Sequence, residues 1–197
     1  MREGDERSPP SPAGGEAEAL AALGRGDVPA ALSALMDLYG RSIHRYSCHV
    51  LGDPDLAQDV LQTTFLQAYQ DLPRFAGRSS LRVWLYGIAR HRCYDAIKSA
   101  RRRRWRFLPL PDEDTSSAAD PRTHAAIEED ESSRALARCI QELQPRVRAA
   151  VMLRFQDEFS YRDMASVCGE QPATLQARVA RALPVLKRCL ERQGVRP

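Results

Sequence analysis

Residues 81–106, LRVWLYGIARHRCYDAIKSARRRRWR, decide how this chain is interpreted. Their apolar side chains recur at the spacing of one helical face, so the segment predicts a long helix that buries one side. Asp95 is the one acid among its basic residues: Arg82, Arg90, Arg92, Lys98, Arg101, Arg102, Arg103, Arg104 and Arg106. Interleaved aromatic rings add stacking surfaces, so the segment predicts a nucleic-acid surface. A solvated helix whose basic end complements its dipole would have the same composition.

The bulk composition narrows the class of protein. The chain has 197 residues, enough for one or two domains with a core, and its net charge is only +3, so its charge is segregated. The central apolar run is far shorter than the ~20 residues of a membrane helix, and no signal-peptide pattern opens the sequence. The five cysteines form neither a CxxC pair nor a zinc-ligand spacing. A reducing cytoplasm, with no metal and no cofactor, is therefore expected.

Composition divides the chain into four parts. Residues 1–25 are predicted to be a disordered leader, because the N-terminal stretch is rich in Pro, Gly, Ser and charge. Residues 26–106 form a first helical domain, residues 107–127 an acidic linker, and residues 128–194 a second helical domain. The predicted fold is all-α: two small helical domains joined by an acidic linker, the second a helix-turn-helix domain. The linker is either a solvated tether or a segment that lies in a basic channel of a partner.

A second surface is predicted on the helix that follows Gly52. Asp55, Asp59 and Gln62 share one face of it, and residues 52–72 contain four acids and no base. Such a face repels DNA and suits a basic protein partner. A solvated face is the alternative.

The second domain contains a helix-turn-helix pattern. Ser160 caps a short helix, Gly169 ends it, and a longer helix follows the turn at residues 170–172. The second helix of such a pair enters the major groove of DNA. Its exposed face offers Thr174, Gln176, Ala177, Arg178, Ala180, Arg181, Lys187 and Arg188. An ordinary helical hairpin is the alternative.

Three stretches together resemble one family. Residues 53–75, DPDLAQDVLQTTFLQAYQDLPRF, residues 80–104, SLRVWLYGIARHRCYDAIKSARRRR, and residues 143–183, LQPRVRAAVMLRFQDEFSYRDMASVCGEQPATLQARVARAL, look like the conserved blocks of bacterial sigma factors. They resemble the small extracytoplasmic-function (ECF) type of the sigma-70 family, which has the second and fourth sigma domains only. The resemblance implies an alternative sigma factor that binds core RNA polymerase and directs it to promoters with particular −10 and −35 elements.

The resemblance also implies a division of labour in the first domain. The family's AxDxxQxxF helix implies contact with the clamp helices of the largest polymerase subunit through Asp55, Asp59, Gln62 and Phe65. The family's WLxxIAxN helix and the loop at residues 73–78 melt and read the −10 element, and here His91 stands where the family has Asn. The residues implied for the −10 element are Arg74, Phe75, Arg78, Trp84, Arg90, His91, Arg101, Arg102, Arg103 and Arg104.

In the second domain the resemblance implies contacts with the polymerase flap and with the −35 element. The family's GTVxSRxxRA block is matched with departures at Ala173, Gln176 and Ala177, and Pro184 interrupts the reading helix. The residues implied for the −35 element are Thr174, Gln176, Ala177, Arg178, Ala180, Arg181 and Lys187. A cognate anti-sigma factor, often membrane-bound in the family, is a further implied partner.

No catalytic arrangement is evident, so the chain is predicted not to be an enzyme. The four histidines are dispersed, and no Gly-rich phosphate loop or nucleophile–base pattern appears. Two rival functions are a two-domain DNA-binding regulator that acts without polymerase, and an interaction module such as an adaptor. The regulator would need a dimer face, which no heptad or extra apolar stripe supplies, and the interaction module would not need the arginine run at residues 101–106.

Overall fold

The computed structural model describes residues 12–107 and 131–195, and all regular elements of these two ranges are helical. The predicted all-α class is therefore confirmed. The first range contains α1 (Pro12–Gly24), α2 (Val28–Leu51), α3 (Pro54–Asp71), a 3-10 turn (Leu72–Arg74) and α4 (Leu81–Phe107). The second contains α5 (Glu131–Gln141), α6 (Pro145–Val151), a π-helical turn (Met152–Gln156), α7 (Tyr161–Cys168) and α8 (Pro172–Arg192). The predicted linker lies almost wholly outside the described residues.

Local capping sets the boundaries of the helices in the first domain. The Asp27 side chain accepts a hydrogen bond from the Ala30 amide at 3.0 Å and opens α2. Asp53 accepts from the amides of Asp55 and Leu56, both at 3.0 Å, and opens α3. Each cap satisfies amides that the first helical turn leaves free, and a proline follows within the first two positions of both helices.

The predicted disordered leader is wrong for residues 12–24, which form α1. Ala19 and Ala22 of this helix are buried, and α1 packs along α2. The Glu16 carboxylate accepts hydrogen bonds from the Tyr39 hydroxyl at 2.7 Å and from the Arg82 amide at 2.9 Å. The expectation failed because the helix buries small alanines instead of large apolar residues. Residues 1–11 lie outside the described part.

The second domain contains a disulfide that the sequence did not predict. Cys139 of α5 and Cys189 of α8 are joined across 50 residues of sequence, with their Cα atoms 5.7 Å apart. The expectation of a reduced chain without cysteine pairing is contradicted for these two residues. Such a pair has no local spacing signature, because only the packing of α5 on α8 brings the sulfurs together.

The two domains pack against each other and share one core. Helix α2 contacts α5 and α6, and α4 contacts α7. Tyr86 of α4 is fully buried between Tyr46 of α2 and Phe159 of the second domain, with ring centroids 5.6 and 4.9 Å apart. This packing places the basic helix α4 beside the helix-turn-helix formed by α7 and α8.

Candidate protein and nucleic-acid interfaces

Helix α3 presents an exposed row of side chains. Asp55, Asp59 and Gln62 face solvent, as predicted. Leu66 and Tyr69 continue the same row with 60% and 44% exposure. Since positions 55, 59, 62, 66 and 69 alternate by four and three residues, they follow one side of the helix. The row is therefore acidic at its N-terminal half and apolar at its C-terminal half, a surface that suits a protein partner with basic and apolar groups.

One assignment on α3 needs correction. Phe65 is only 5% exposed and packs in the core, so it anchors α3 to the domain and is not available to a partner. Tyr69, in contrast, is nearly half accessible, and it was not placed on this surface from the sequence. Leu66 was not predicted at all. The signal that would have found both exposed residues was the regular extension of the acidic row by four and then three positions.

Helices α3 and α4, with one residue of the loop between them and one of α7, line a shallow cavity of about 550 Å³. Trp84 and His91 of α4 line it, and Phe75 packs on Trp84 with ring centroids 5.4 Å apart. Arg74 and Arg78 of the loop are exposed. The structure thus brings three of the ten predicted −10 residues, Phe75, Trp84 and His91, to this cavity. Their rings offer a surface on which an unstacked base could stack.

Polar side chains that line this cavity form hydrogen bonds with one another. Gln67 donates a hydrogen bond to Asp71 at 2.7 Å, and Arg92 donates to the Gln67 side-chain oxygen. His91 lies 3.3 Å from Asp95 on the outer side of α4. Gln67, Asp71 and Arg92 were absent from the sequence-based site, because Arg92 of α4 meets the Gln67–Asp71 pair only when α3 packs against α4.

The arginines of α4 differ in exposure: those in its last turns are accessible to solvent, and Arg90 in its middle is mostly buried. Arg101, Arg102 and Arg103 are exposed in the last turns. Arg104 lies in the same helix, and its side chain falls outside the described part. Arg90, in contrast, is 17% exposed, lies over the Tyr94 ring at 4.6 Å, and reaches to 3.8 Å from Glu170 of the second domain.

The helix-turn-helix has the predicted geometry. Ser160 accepts a hydrogen bond from the Asp163 amide at 3.1 Å and opens α7, and Gly169 ends it with φ 65°, a left-handed conformation that favours glycine. Helix α8 begins at Pro172 and continues past Pro184. Six of its predicted reading residues are exposed: Thr174, Gln176, Ala177, Ala180, Arg181 and Lys187.

Arg178 is the exception among the predicted reading residues. Its guanidinium donates to the Glu170 carboxylate through two nitrogens, one of them at 2.9 Å, and its side chain is only 19% exposed. The hydrogen bond from Arg178 holds the pKa of Glu170 below its usual range. The cation in the middle of α8 is therefore already paired with an acid of its own domain.

Other kinds of site find no support in residues 12–107 and 131–195. No group of three or more His, Cys, Asp and Glu side chains in these ranges could hold a metal ion. Among the same residues, no helix has the length and apolarity needed to cross a bilayer.

Comparison with known proteins agrees with the geometry. Family models of sigma-70 region 2 and sigma-70 region 4 match residues 35–103 and 133–183. The ECF RNA polymerase sigma factor SigC of Mycobacterium tuberculosis is 34% identical over 162 residues, which cover 79% of this chain and 81% of that protein. SigX of Bacillus subtilis is 26% identical, with coverage of 80% and 82%.

Solved structures show the same fold. The sigma factor RpoE of Bartonella quintana, in complex with the anti-sigma factor NepR, has a TM-score of 0.62 and 25% identity, and the match covers 79% of this chain and 94% of RpoE. CnrH in complex with the cytosolic domain of CnrY has the same TM-score at 19% identity, with coverage of 89% and 96%.

These findings define the class of protein as a two-domain sigma factor of the sigma-70 family. Within that class, the chain belongs to the ECF sigma factors, the alternative sigma factors that direct RNA polymerase to promoters.

Proposed function

We propose that this sigma factor docks on core polymerase through the exposed α3 row and reads promoters with α4 and α8. The observation that carries the proposal is the separation of the surfaces by charge. The α3 row contains acids, an amide and apolar groups but no base, whereas the free ends of α4 and α8 are basic. A row that repels DNA and two helices that attract it belong to a protein that bridges DNA and another protein.

The first domain, residues 26–106, binds the polymerase clamp helices and the −10 element. The second domain, residues 128–194, binds the polymerase flap and the −35 element. Two small DNA-binding domains each bind weakly. Polymerase holds them at a fixed separation, so the second contact forms at a high effective concentration. The spacing of the two promoter elements then becomes part of recognition.

At the −10 element the cavity beside Trp84 receives an unstacked base, and the exposed arginines of α4 hold the phosphates. His91 supplies a ring nitrogen where the family has an amide, so its hydrogen-bonding pattern differs from that of the usual residue. Replacement of Arg101, Arg102 and Arg103 by Ala reduces the slope of log affinity against log salt by about 0.9 per lost phosphate contact. An unchanged slope would mean that these arginines are only solvated surface.

Partners beyond polymerase and DNA follow from the relatives. RpoE has been solved with the anti-sigma factor NepR, and CnrH with the cytosolic domain of CnrY. An anti-sigma factor is therefore the expected inhibitor of this chain, and its recovery with the native protein before induction tests that partner. The chain acts without catalysis of its own, in the cytoplasm, where DNA and polymerase lie. A disulfide such as Cys139–Cys189 is uncommon in that compartment.

Reconstituted transcription is the decisive experiment. The chain is mixed with core polymerase and a library of promoter fragments, and transcripts are sequenced. Selective initiation that requires both proteins is the expected result. Specific DNA binding that occurs equally without polymerase, and no initiation with it, would instead indicate a polymerase-independent regulator.

A further inference from the structure

Helix α1 has no role in the proposed function, although it is firmly attached to the first domain. The turn after it fixes its C-terminal end. The Gly26 amide donates to the Leu23 carbonyl at 2.9 Å, and the Asp27 amide donates to the Ala22 carbonyl at 3.0 Å. This pair of hydrogen bonds is that of a Schellman turn, so the direction of α1 relative to α2 is set at this end.

The N-terminal half of α1 lies close to α2. Gly15 is buried, and a Cβ atom placed on it would lie 2.5 Å from the Leu38 side chain. A glycine at this position lets the two helices approach each other, and the approach brings the next residue, Glu16, to Tyr39. The Tyr39 hydroxyl, in a residue that is only 5% exposed, donates to Glu16 Oε1 at 2.7 Å.

The same carboxylate oxygen also binds the start of α4. Glu16 Oε1 accepts a second hydrogen bond, from the Arg82 amide at 2.9 Å. The first turn of a helix leaves its amides without partners inside the helix, and negative charge there is favourable because of the helix dipole. Ser80 caps the same turn by accepting from the Val83 amide at 3.2 Å. Helix α4 therefore begins on one cap from its own sequence and one from a residue 66 positions earlier.

The capped turn carries residues of the −10 cavity. Val83 and Trp84 both line this cavity. The Trp84 amide donates to the Ser80 carbonyl at 3.1 Å, so Trp84 belongs to the turn that the two caps hold. The backbone of this turn sets the position of the indole against the Phe75 ring, and a displaced turn would therefore change the shape of the cavity.

We propose that Glu16 is a positioning residue for −10 recognition. Through Glu16, α1 holds the first turn of α4 in the orientation that lets Trp84 receive an unstacked base. This inference rests on the proposed function for the role of the cavity. Glu16 acts through the backbone of α4 and makes no contact with DNA. Without its carboxylate the Arg82 amide loses its partner, and affinity for the −10 strand falls with the fraction of chains that keep the competent orientation.

The test has one measurement on the holoenzyme and one on the free chain. Holoenzyme reconstituted from the full chain is titrated with a fluorescent single strand that has the non-template −10 sequence of a promoter selected by transcription. Its affinities for core polymerase and for a −35 duplex are measured in parallel. In the free chain, hydrogen exchange followed by NMR reports the Arg82 amide directly, without polymerase or promoter.

Three variants separate the contact from general effects. Glu16→Ala removes both hydrogen bonds, whereas Glu16→Gln retains an oxygen acceptor at the same place. The matched control is Glu18→Ala, which removes the same kind of carboxylate from an exposed position of α1. Circular dichroism verifies that each variant is folded at the temperature of measurement.

Glu16→Ala should weaken binding of the −10 strand about tenfold, the scale of one lost hydrogen bond to a charged group, and should speed exchange of the Arg82 amide. Glu16→Gln should stay within about threefold of the unmodified chain, because a neutral acceptor still satisfies the amide. Glu18→Ala should match the unmodified chain. Affinities for core polymerase and for the −35 duplex should be the same in all variants, since neither α3 nor α8 contacts Glu16.

Three results would overturn the proposal. Unchanged exchange of the Arg82 amide in Glu16→Ala would mean that the carboxylate does not hold the turn. Faster exchange with an unchanged −10 affinity would mean that the contact serves only the fold. An equal loss of all three affinities would mean that the substitution damages the whole chain. If the unmodified holoenzyme does not bind the −10 strand, the proposed function fails instead, and the exchange measurement still tests the contact by itself.

Discussion

Helices α3 and α8 each carry a row of side chains that we propose to bind a partner, and the structure exposes the two rows to different degrees. On α3 the residues from Asp55 to Tyr69 that form the row all face solvent. On α8 the first reading residues, Thr174 and Gln176, are exposed, but Arg178 is held by Glu170. On the proposed function, a protein partner would dock on α3 without rearrangement, whereas DNA phosphates would have to replace the Glu170 carboxylate at Arg178.

The difference is one of electrostatics as well as exposure. The acids of α3 have no cation in their own row, so their charge remains available to a basic partner. The cation in the middle of α8 is already neutralised by a neighbour in the preceding turn. The α3 row therefore has free charge, whereas the charge of Arg178 is already paired within its own domain.

The largest effect is expected on the open row of α3. Asp59→Arg combined with Gln62→Ala reverses one charge and removes one amide, and it should weaken binding to core polymerase by about 2–5 kcal/mol. Asp37→Arg, on an exposed position of α2, is the control. Affinity is measured by titration of labelled chain with core polymerase. Unchanged affinity with a normal circular dichroism spectrum would place the docking surface elsewhere.

The second largest effect is expected on the free energy of unfolding, through the disulfide that joins α8 to α5. Replacement of Cys139 and Cys189 by Ser opens a loop of 50 residues and should lower the free energy of unfolding by about 2–4 kcal/mol. A reductant should produce the same shift in the unmodified chain. Cys48→Ser, at a free cysteine of α2, is the matched control. Denaturant unfolding followed by circular dichroism measures the change, and identical curves with and without reductant would mean that the disulfide does not form.

A smaller effect, on base preference, is expected at Gln176, an exposed residue in the first turns of α8. Gln176 can pair with adenine in the major groove, so Gln176→Ala should change the preferred base at one −35 position and cost about 1–3 kcal/mol there. Arg181→Ala should weaken all sequences alike. A selection on promoters randomised at the −35 element, with the reconstituted holoenzyme, measures both. The same base preference before and after the Gln176 change would remove this residue from the reading set.

The smallest effect is a pH dependence at the buried hydrogen bond between Tyr86 of α4 and Asp157. Burial raises the pKa of Asp157 to about 6, although the Tyr86 hydrogen bond and the charges of Arg45 and Arg82 act in the opposite direction. Because the folded-state pKa lies above the unfolded value, the folded chain binds this proton more tightly. The contribution to stability grows as pH falls through 6, and it is lost as pH rises through that value.

Between pH 7 and pH 5 this contribution is worth about 1.4 kcal/mol, the equivalent of one pKa unit. The Asp157→Asn variant lacks the titrating group, so it should not gain this stability as the pH falls. Other carboxylates, including Glu170 with its lowered pKa, affect both proteins equally. Urea denaturation of the two proteins at each pH gives the difference. Parallel stability curves would mean that the carboxylate is solvated.

Local patterns predicted most of the fold. The caps at Asp53 and Ser160, and the left-handed end at Gly169, depend on residues within a few positions of each other, so the sequence displays them directly. Helix α1 was missed because its buried alanines resemble the composition of a leader. Phe65 was assigned to a surface from the motif, although the spacing of neighbouring core residues would have placed it inside.

The amino-acid sequence alone determined the helical class, the two domains, the family, and the position of the α3 and α8 rows, because helical periodicity and capping act over short distances. Tertiary structure alone decided the Cys139–Cys189 disulfide, the pairing of Tyr86 with Asp157, and the convergence of Arg90 and Arg178 on Glu170. These contacts join residues 8 to 80 positions apart. Their side chains meet only when helices from different parts of the chain pack, so local periodicity contains no signal for them.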